Sequence, residues 1–187
     1  FCDLKNYTTI SERLTPMQMV AMINQYLAVM NVIIDRYEGC VIEFLGDGIL
    51  AVFGVPHALP EHAELGVRCA LEMRTALDDL NVQWEQQGLA ERWQELGIPR
   101  IEFRIGLHTG PVVAGNLGSH TRMKYAVIGD TVNVAARLES LNKEFGTTIL
   151  LSEETKSRLS NELRDLVSRM GVTVVKGRQQ TLVSYSI

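Results

Sequence analysis

Residues 40–53 read CVIEFLGDGILAVF, two runs of apolar and β-branched residues joined at Gly46-Asp47-Gly48, and this is the pattern of a β-hairpin. The segment before it has a different period. Thr15-Pro16-Met17-Gln18 has the form of a capping box with proline at the first helical position, and Met19, Ile23, Leu27, Met30 and Ile34 then recur at helical spacing. The spacing predicts a helix from Pro16 to about Glu38, stopped at Gly39.

After the loop GVPHALP a second helix is predicted from about Glu61 to Gln87, with Val67, Ala70, Leu71, Ala76 and Leu77 on its inner face. Residues 101–110 and 111–118 read as a strand pair and 124–130 as a short strand. DTVNVAARLESLNKEFG then opens a helix with Asp130 and Thr131 as N-cap residues and ends it at Gly146. Two closing strands, about 172–176 and 181–187, flank KGRQQ. This order predicts one α+β domain over 1–187, on a mainly antiparallel sheet whose long helices cover one face. The chain opens FCDL, inside the end of a strand and without Met, so the expectation is an excised domain of a larger protein with a regulatory domain upstream.

Composition removes several classes. A formal net charge of −4, with Lys and Arg scattered singly, gives no support for a nucleic-acid surface or a polybasic membrane patch. Cys2, Cys40 and Cys69 are odd in number and lack CxxC spacing, which points to reduced thiols and a cytoplasmic catalytic domain. The four histidines have no HExxH-type spacing, and no apolar run approaches the length of a membrane span.

Charged residues inside apolar strands carry the chemistry. An Asp beside Gly is by itself ordinary turn chemistry. Asp3, however, also stands at a strand end, before the polar turn Lys5-Asn6-Tyr7-Thr8, whose backbone N–H groups can face an anion. If the first strand lies beside the hairpin, Asp3 and Asp47 converge, and two carboxylates repel unless a cation sits between them. Mg²⁺, held by one or two carboxylates and substrate phosphates, suits that arrangement, so phosphoryl chemistry leads. Asn133 and Arg137, at i and i+4, leave one helix face together, and Arg104 interrupts an apolar strand where an unpaired guanidinium is costly to bury.

FCDLKNYT, EFLGDG, FRIGLHTG, IGDTVNVAARLES and VKGR, in this order, resemble the catalytic domain of the class III nucleotidyl cyclases, the adenylate and guanylate cyclase family, and the resemblance covers essentially the whole chain. It implies a ferredoxin-like βαββαβ core and two Mg²⁺ or Mn²⁺ ions per active site, held by Asp3, Asp47 and the backbone carbonyl of Leu4. Asn133 would orient the ribose, Arg137 would stabilise charge on the phosphate, and Arg104 and Lys176 would hold the triphosphate, with the turn at Asn6, Tyr7 and Thr8 beside it. The resemblance further implies a head-to-tail homodimer with two shared sites. One protomer gives the aspartates and Arg104; the other gives the purine reader, Asn133, Arg137 and Lys176.

Two positions bear on the purine. Adenylate cyclases resembling this chain usually carry Lys where Glu43 stands and Asp or Thr where Ala126 stands; guanylate cyclases usually carry Glu and often Cys. An ionised carboxylate accepts hydrogen bonds only, and guanine offers it adjacent N1–H and 2-amino donors. Adenine N1 would meet Glu43 lone pair to lone pair. Ala126 cannot accept from an adenine 6-amino group, and it also leaves guanine O6 without a side-chain donor. The expectation is therefore a guanylate cyclase acting on GTP. The alternatives are an adenylate cyclase with an atypical purine pocket and an inactive cyclase-like dimerisation domain.

Overall fold

The computed structural model describes residues 1–174 and 181–187. Strand β1 (Cys2–Leu4) leads through a short helix α1 (Tyr7–Ser11) to the long helix α2 (Pro16–Arg36), and the hairpin β2 (Gly39–Leu45) and β3 (Gly48–Phe53) follows. Then come α3 (His62–Gln86), α4 (Glu91–Gln94), β4 (Phe103–Leu107), a ribbon of β5 (Val113–Ser119) and β6 (Arg122–Ile128), and α5 (Asp130–Phe145). The chain closes with β7 (Ile149–Ser152), α6 (Glu153–Lys156), α7 (Asn161–Asp165), β8 (Ser168–Val174) and β9 (Thr181–Ser186).

The capping box forms as the sequence demands: Gln18 N donates to Thr15 Oγ1 at 3.3 Å and Thr15 N to Gln18 Oε1 at 3.0 Å. The other end of α2 departs from expectation. Glu38, not Gly39, takes the left-handed conformation (φ 58°). Gly39 is needed for another reason, since a Cβ there would lie 2.7 Å from Ile34 Cγ2 and 2.8 Å from the Phe53 ring. Contrary to the expectation that no apolar run approaches a membrane span, α2 is long and apolar enough to pass for one, because its polar residues up to Ile34 are uncharged. Met22, Tyr26, Met30, Ile33 and Ile34 are nevertheless buried in the core.

The main sheet has the order β2-β3-β1-β4-β7-β9-β8. Its first four strands pair antiparallel and are joined through α2 and α3, which is the ferredoxin-like βαββαβ core; β4 and β7 pair in parallel. On one face Met22, Tyr26 and Met30 of α2 and Ala70, Met73 and Trp84 of α3 meet Cys2, Leu4, Phe103 and Ile105 of the strands. Each large apolar side chain fully buried there contributes about 1.5–3 kcal/mol.

The opposite face is covered too. Val134, Leu138 and Leu141 of α5 pack with Leu150 and Leu182, so the helices lie on both sides. The strand pair expected over 101–118 does not form. β4 pairs instead with β1 and β7, and β5 pairs with β6 in a separate two-stranded sheet. Alternation reports which face a residue takes, and it is silent on which strand comes alongside.

Candidate active site

Because side chains alternate across a strand, burying Cys2 and Leu4 under α2 turns Asp3 to the other face of β1. There it meets the hairpin tip. Leu4 N donates to Asp47 Oδ2 at 3.2 Å, so the backbone of Leu4 and both carboxylates converge as the sequence reading required. Burial, reinforced by the Asp47 carboxylate and then by Glu139, pushes Asp3 up to about 7, and Arg104 only partly offsets this. Two acids held together at that cost fit a cation site. Among the described residues no group of three or more His, Cys, Asp and Glu side chains is arranged to hold a metal, so phosphate oxygens would have to complete the shell around Mg²⁺ or Mn²⁺.

Arg104, directly across from Asp3 on β4, is the neighbouring cation. Its Nη2 lies 3.7 Å from Asp3 Oδ2, and its Nε donates to Glu139 Oε1 at 2.7 Å. Glu139 is buried on α5, and it answers how a guanidinium is tolerated inside an apolar strand. The sequence reading missed it. Its signal was an acid on the stripe Val134, Ala135, Leu138, Leu141, the apolar side of its helix. α5 can come this close because of Gly106: a Cβ there would lie 2.1 Å from Ala135 O and 2.3 Å from Glu139 N.

Asn133 and Arg137 do not join this group. At about 100° per residue Arg137 stands roughly 200° around α5 from Glu139, and Asn133 roughly 240°. Glu139 faces Asp3 and Arg104, so the Asn133/Arg137 side of the helix is turned away from its own chain's aspartates. Asn133 is exposed. Arg137 Nε is buried and has no hydrogen-bond partner among the described residues. The N-cap of α5 is Gly129 instead of Asp130 or Thr131; Thr131 Oγ1 donates to Pro111 O at 2.7 Å and ties the helix start to the β4–β5 connection.

The polar turn after β1 is the entry to α1. Asn6 is its N-cap, with φ 58°, and Ile10 N donates to Asn6 O at 3.0 Å, so the amides of Tyr7 and Thr8 lie ahead of the first intrahelical bond. Burial, and then the Asp47 charge, raises the Tyr7 hydroxyl above its ordinary value. Lys176 lies outside the described residues.

Glu43 and Ala126 come from elements that meet. Lys124 Nζ of β6 donates to Glu43 Oε1 at 2.9 Å and Oε2 at 3.0 Å. Lys124 and Ala126 are two residues apart on one strand and therefore share a face. Glu43 thus stands over the face of β6 that carries Ala126, and it keeps 39% of its side chain exposed.

A half-buried pair of acids and an Asn/Arg pair on another side of α5 are thus carried by one chain. The model of the adenylate and guanylate cyclase catalytic domain matches residues 1–187, and the chain belongs to that family. It is 35% identical to adenylate cyclase 1 of Rhizobium meliloti over all of its own length, and it spans about a quarter (26%) of that curated relative. Among solved structures it resembles the guanylyl cyclase Cya2, with a TM-score of 0.81 and 34% identity, covering 99% of this chain and 87% of that one. It is similar to the same degree to the adenylyl cyclase CyaB from P. aeruginosa, with a TM-score of 0.80 and 31% identity over 99% of this chain and 89% of the other. Solved structures with either printed activity are thus about equally near.

Proposed function

We propose that this chain is a guanylate cyclase domain that converts GTP to 3′,5′-cyclic GMP and pyrophosphate in a head-to-tail homodimer. The carrying observation is Glu43: an accessible carboxylate beside the face of β6 that bears Ala126. Its two oxygens can accept from guanine N1–H and the 2-amino group together, whereas adenine offers N1 as another acceptor. Hydrogen bonds to a charged group contribute about 1.5–3 kcal/mol, and guanine makes them to Glu43 where adenine cannot, which is enough to set the preference.

The reaction joins the ribose 3′-oxygen to the α-phosphorus as the bond to pyrophosphate breaks. Asp3, Asp47 and the Leu4 carbonyl would hold two Mg²⁺ or Mn²⁺ ions, whose chemistry is to activate the hydroxyl and neutralise the triphosphate. Arg104, fixed by Glu139, places positive charge beside the same acids. Arg137 of the second protomer would bring its guanidinium to the phosphate as charge develops, and Asn133 would orient the ribose beside it. The opposite directions of the two groups on α5 support assembly from two chains.

The test exchanges the purine-facing pair. Glu43→Lys with Ala126→Asp supplies a donor for adenine N1 and an acceptor for its 6-amino group, so the kcat/KM ratio should turn toward ATP, with lower total activity. Glu43→Lys alone should mainly lose GTP turnover. A double variant that keeps the wild-type GTP/ATP ratio removes Glu43 from the role.

A further inference from the structure

Ala126 leaves guanine O6 without a side-chain donor from that position, and the structure supplies one nearby. We infer that Lys124 is a specificity-determining residue of the purine site, donating to guanine O6; this rests on the GTP reading above. An ammonium has three donors, and Glu43 takes two of them, at 2.9 and 3.0 Å, which leaves one to give. A carboxylate has about four lone-pair sites, so Glu43 can accept from N1–H and the 2-amino group once Lys124 moves from between the two oxygens to the outer lone pair of the one that faces N1.

The geometry is consistent on both sides. Guanine carries O6 next to N1, so an oxygen of Glu43 that accepts from N1–H sits beside O6, and the cation already bonded to that oxygen lies within reach of both. Lys124 shares its β6 face with Ala126, the residue whose side chain fails to reach O6. Adenine reverses the match, since its 6-amino group would meet the ammonium donor to donor. Glu43 and Lys124 are 39% and 61% exposed, and an exposed ion pair adds little to folding, so stability alone is a poor reason for holding both oxygens.

GTP, inosine triphosphate and ATP separate the roles in the purified protein. Inosine keeps O6 and N1–H and lacks only the 2-amino group. For Lys124→Met, kcat/KM should fall about 10- to 100-fold for GTP and by the same factor for inosine triphosphate, with no fall for ATP. Lys124→Arg, which keeps a cationic donor, should recover a substantial part of both. A loss larger for GTP than for inosine triphosphate would mean that Lys124 only orients Glu43, and equal losses for all three nucleotides would mean a structural role; either overturns the inference. A wild type that prefers ATP overturns the GTP reading and this one with it. A wild type that prefers GTP, combined with an unchanged ratio in Lys124→Met, overturns the role of Lys124 alone.

Discussion

Asp3 is the residue at which the protein gives up stability to hold a site. Its carboxyl titrates at about 7 in the fold, through burial and the charges of Asp47 and Glu139, against roughly 3.9 in an unfolded chain. Between those values the folded state binds the extra proton, so this group makes stability fall as pH rises from about 4 to 7. Asp3→Asn, which carries no charge to repel, should therefore raise the Tm of the metal-free protein at pH 8 and leave it unchanged near pH 4. Thermal melts across that range, run in chelator, would show the difference opening with pH; a constant offset would mean that the repulsion is not what Asp3 feels. Asp3, Asp47 and Arg104, which the fold brings together, stood out in the sequence because each breaks a local pattern, and Asn133 and Arg137 were candidates there through their spacing and a family motif. Glu139 and Lys124 were not, since their meaning lies in partners 35 and 81 residues away.

Among the elements, α5 on β4 is the contact that sets the site. Gly106 allows the helix backbone to approach until Glu139 reaches Arg104, and a methyl group at 2.1 Å from Ala135 O has no side chain to push aside. Gly106→Ala should cost roughly 1–3 kcal/mol or more. Activity should also fall as α5 moves away from Arg104. Urea midpoints for the two proteins measure the first effect, and a neutral substitution would show that the close packing does not constrain α5. α2, the hairpin and α3 were readable because their signals are local: a capping box, alternation around a turn, a long apolar stripe. The partners of β4 were not. Its neighbours are β1, about a hundred residues earlier, and β7, a four-residue run that is too short for periodicity to classify.

For the whole molecule the question is whether one chain makes a site. The aspartates lie on one side of α5, while Asn133 and Arg137 leave the other, so a single chain presents two halves that face apart. Asp47→Ala and Arg137→Ala should each be inactive alone, for lack of metal and of phosphate stabilisation respectively. Mixed and exchanged, they should regain activity, because one site of each heterodimer then carries no substitution. No recovery despite verified exchange of chains would count against assembly across protomers.

The purine remains the centre of the account, because solved structures with either printed activity are about equally near and Glu43 is the residue proposed to decide between them. The most direct measurement gives the purified wild-type protein equal concentrations of GTP and ATP with Mg²⁺ or Mn²⁺ and separates the cyclic nucleotides by chromatography. Cyclic GMP should exceed cyclic AMP by roughly 10- to 100-fold, the ratio set by the hydrogen bonds to Glu43 that guanine makes and adenine cannot. Cyclic AMP as the main product, or neither product with either metal, would contradict it.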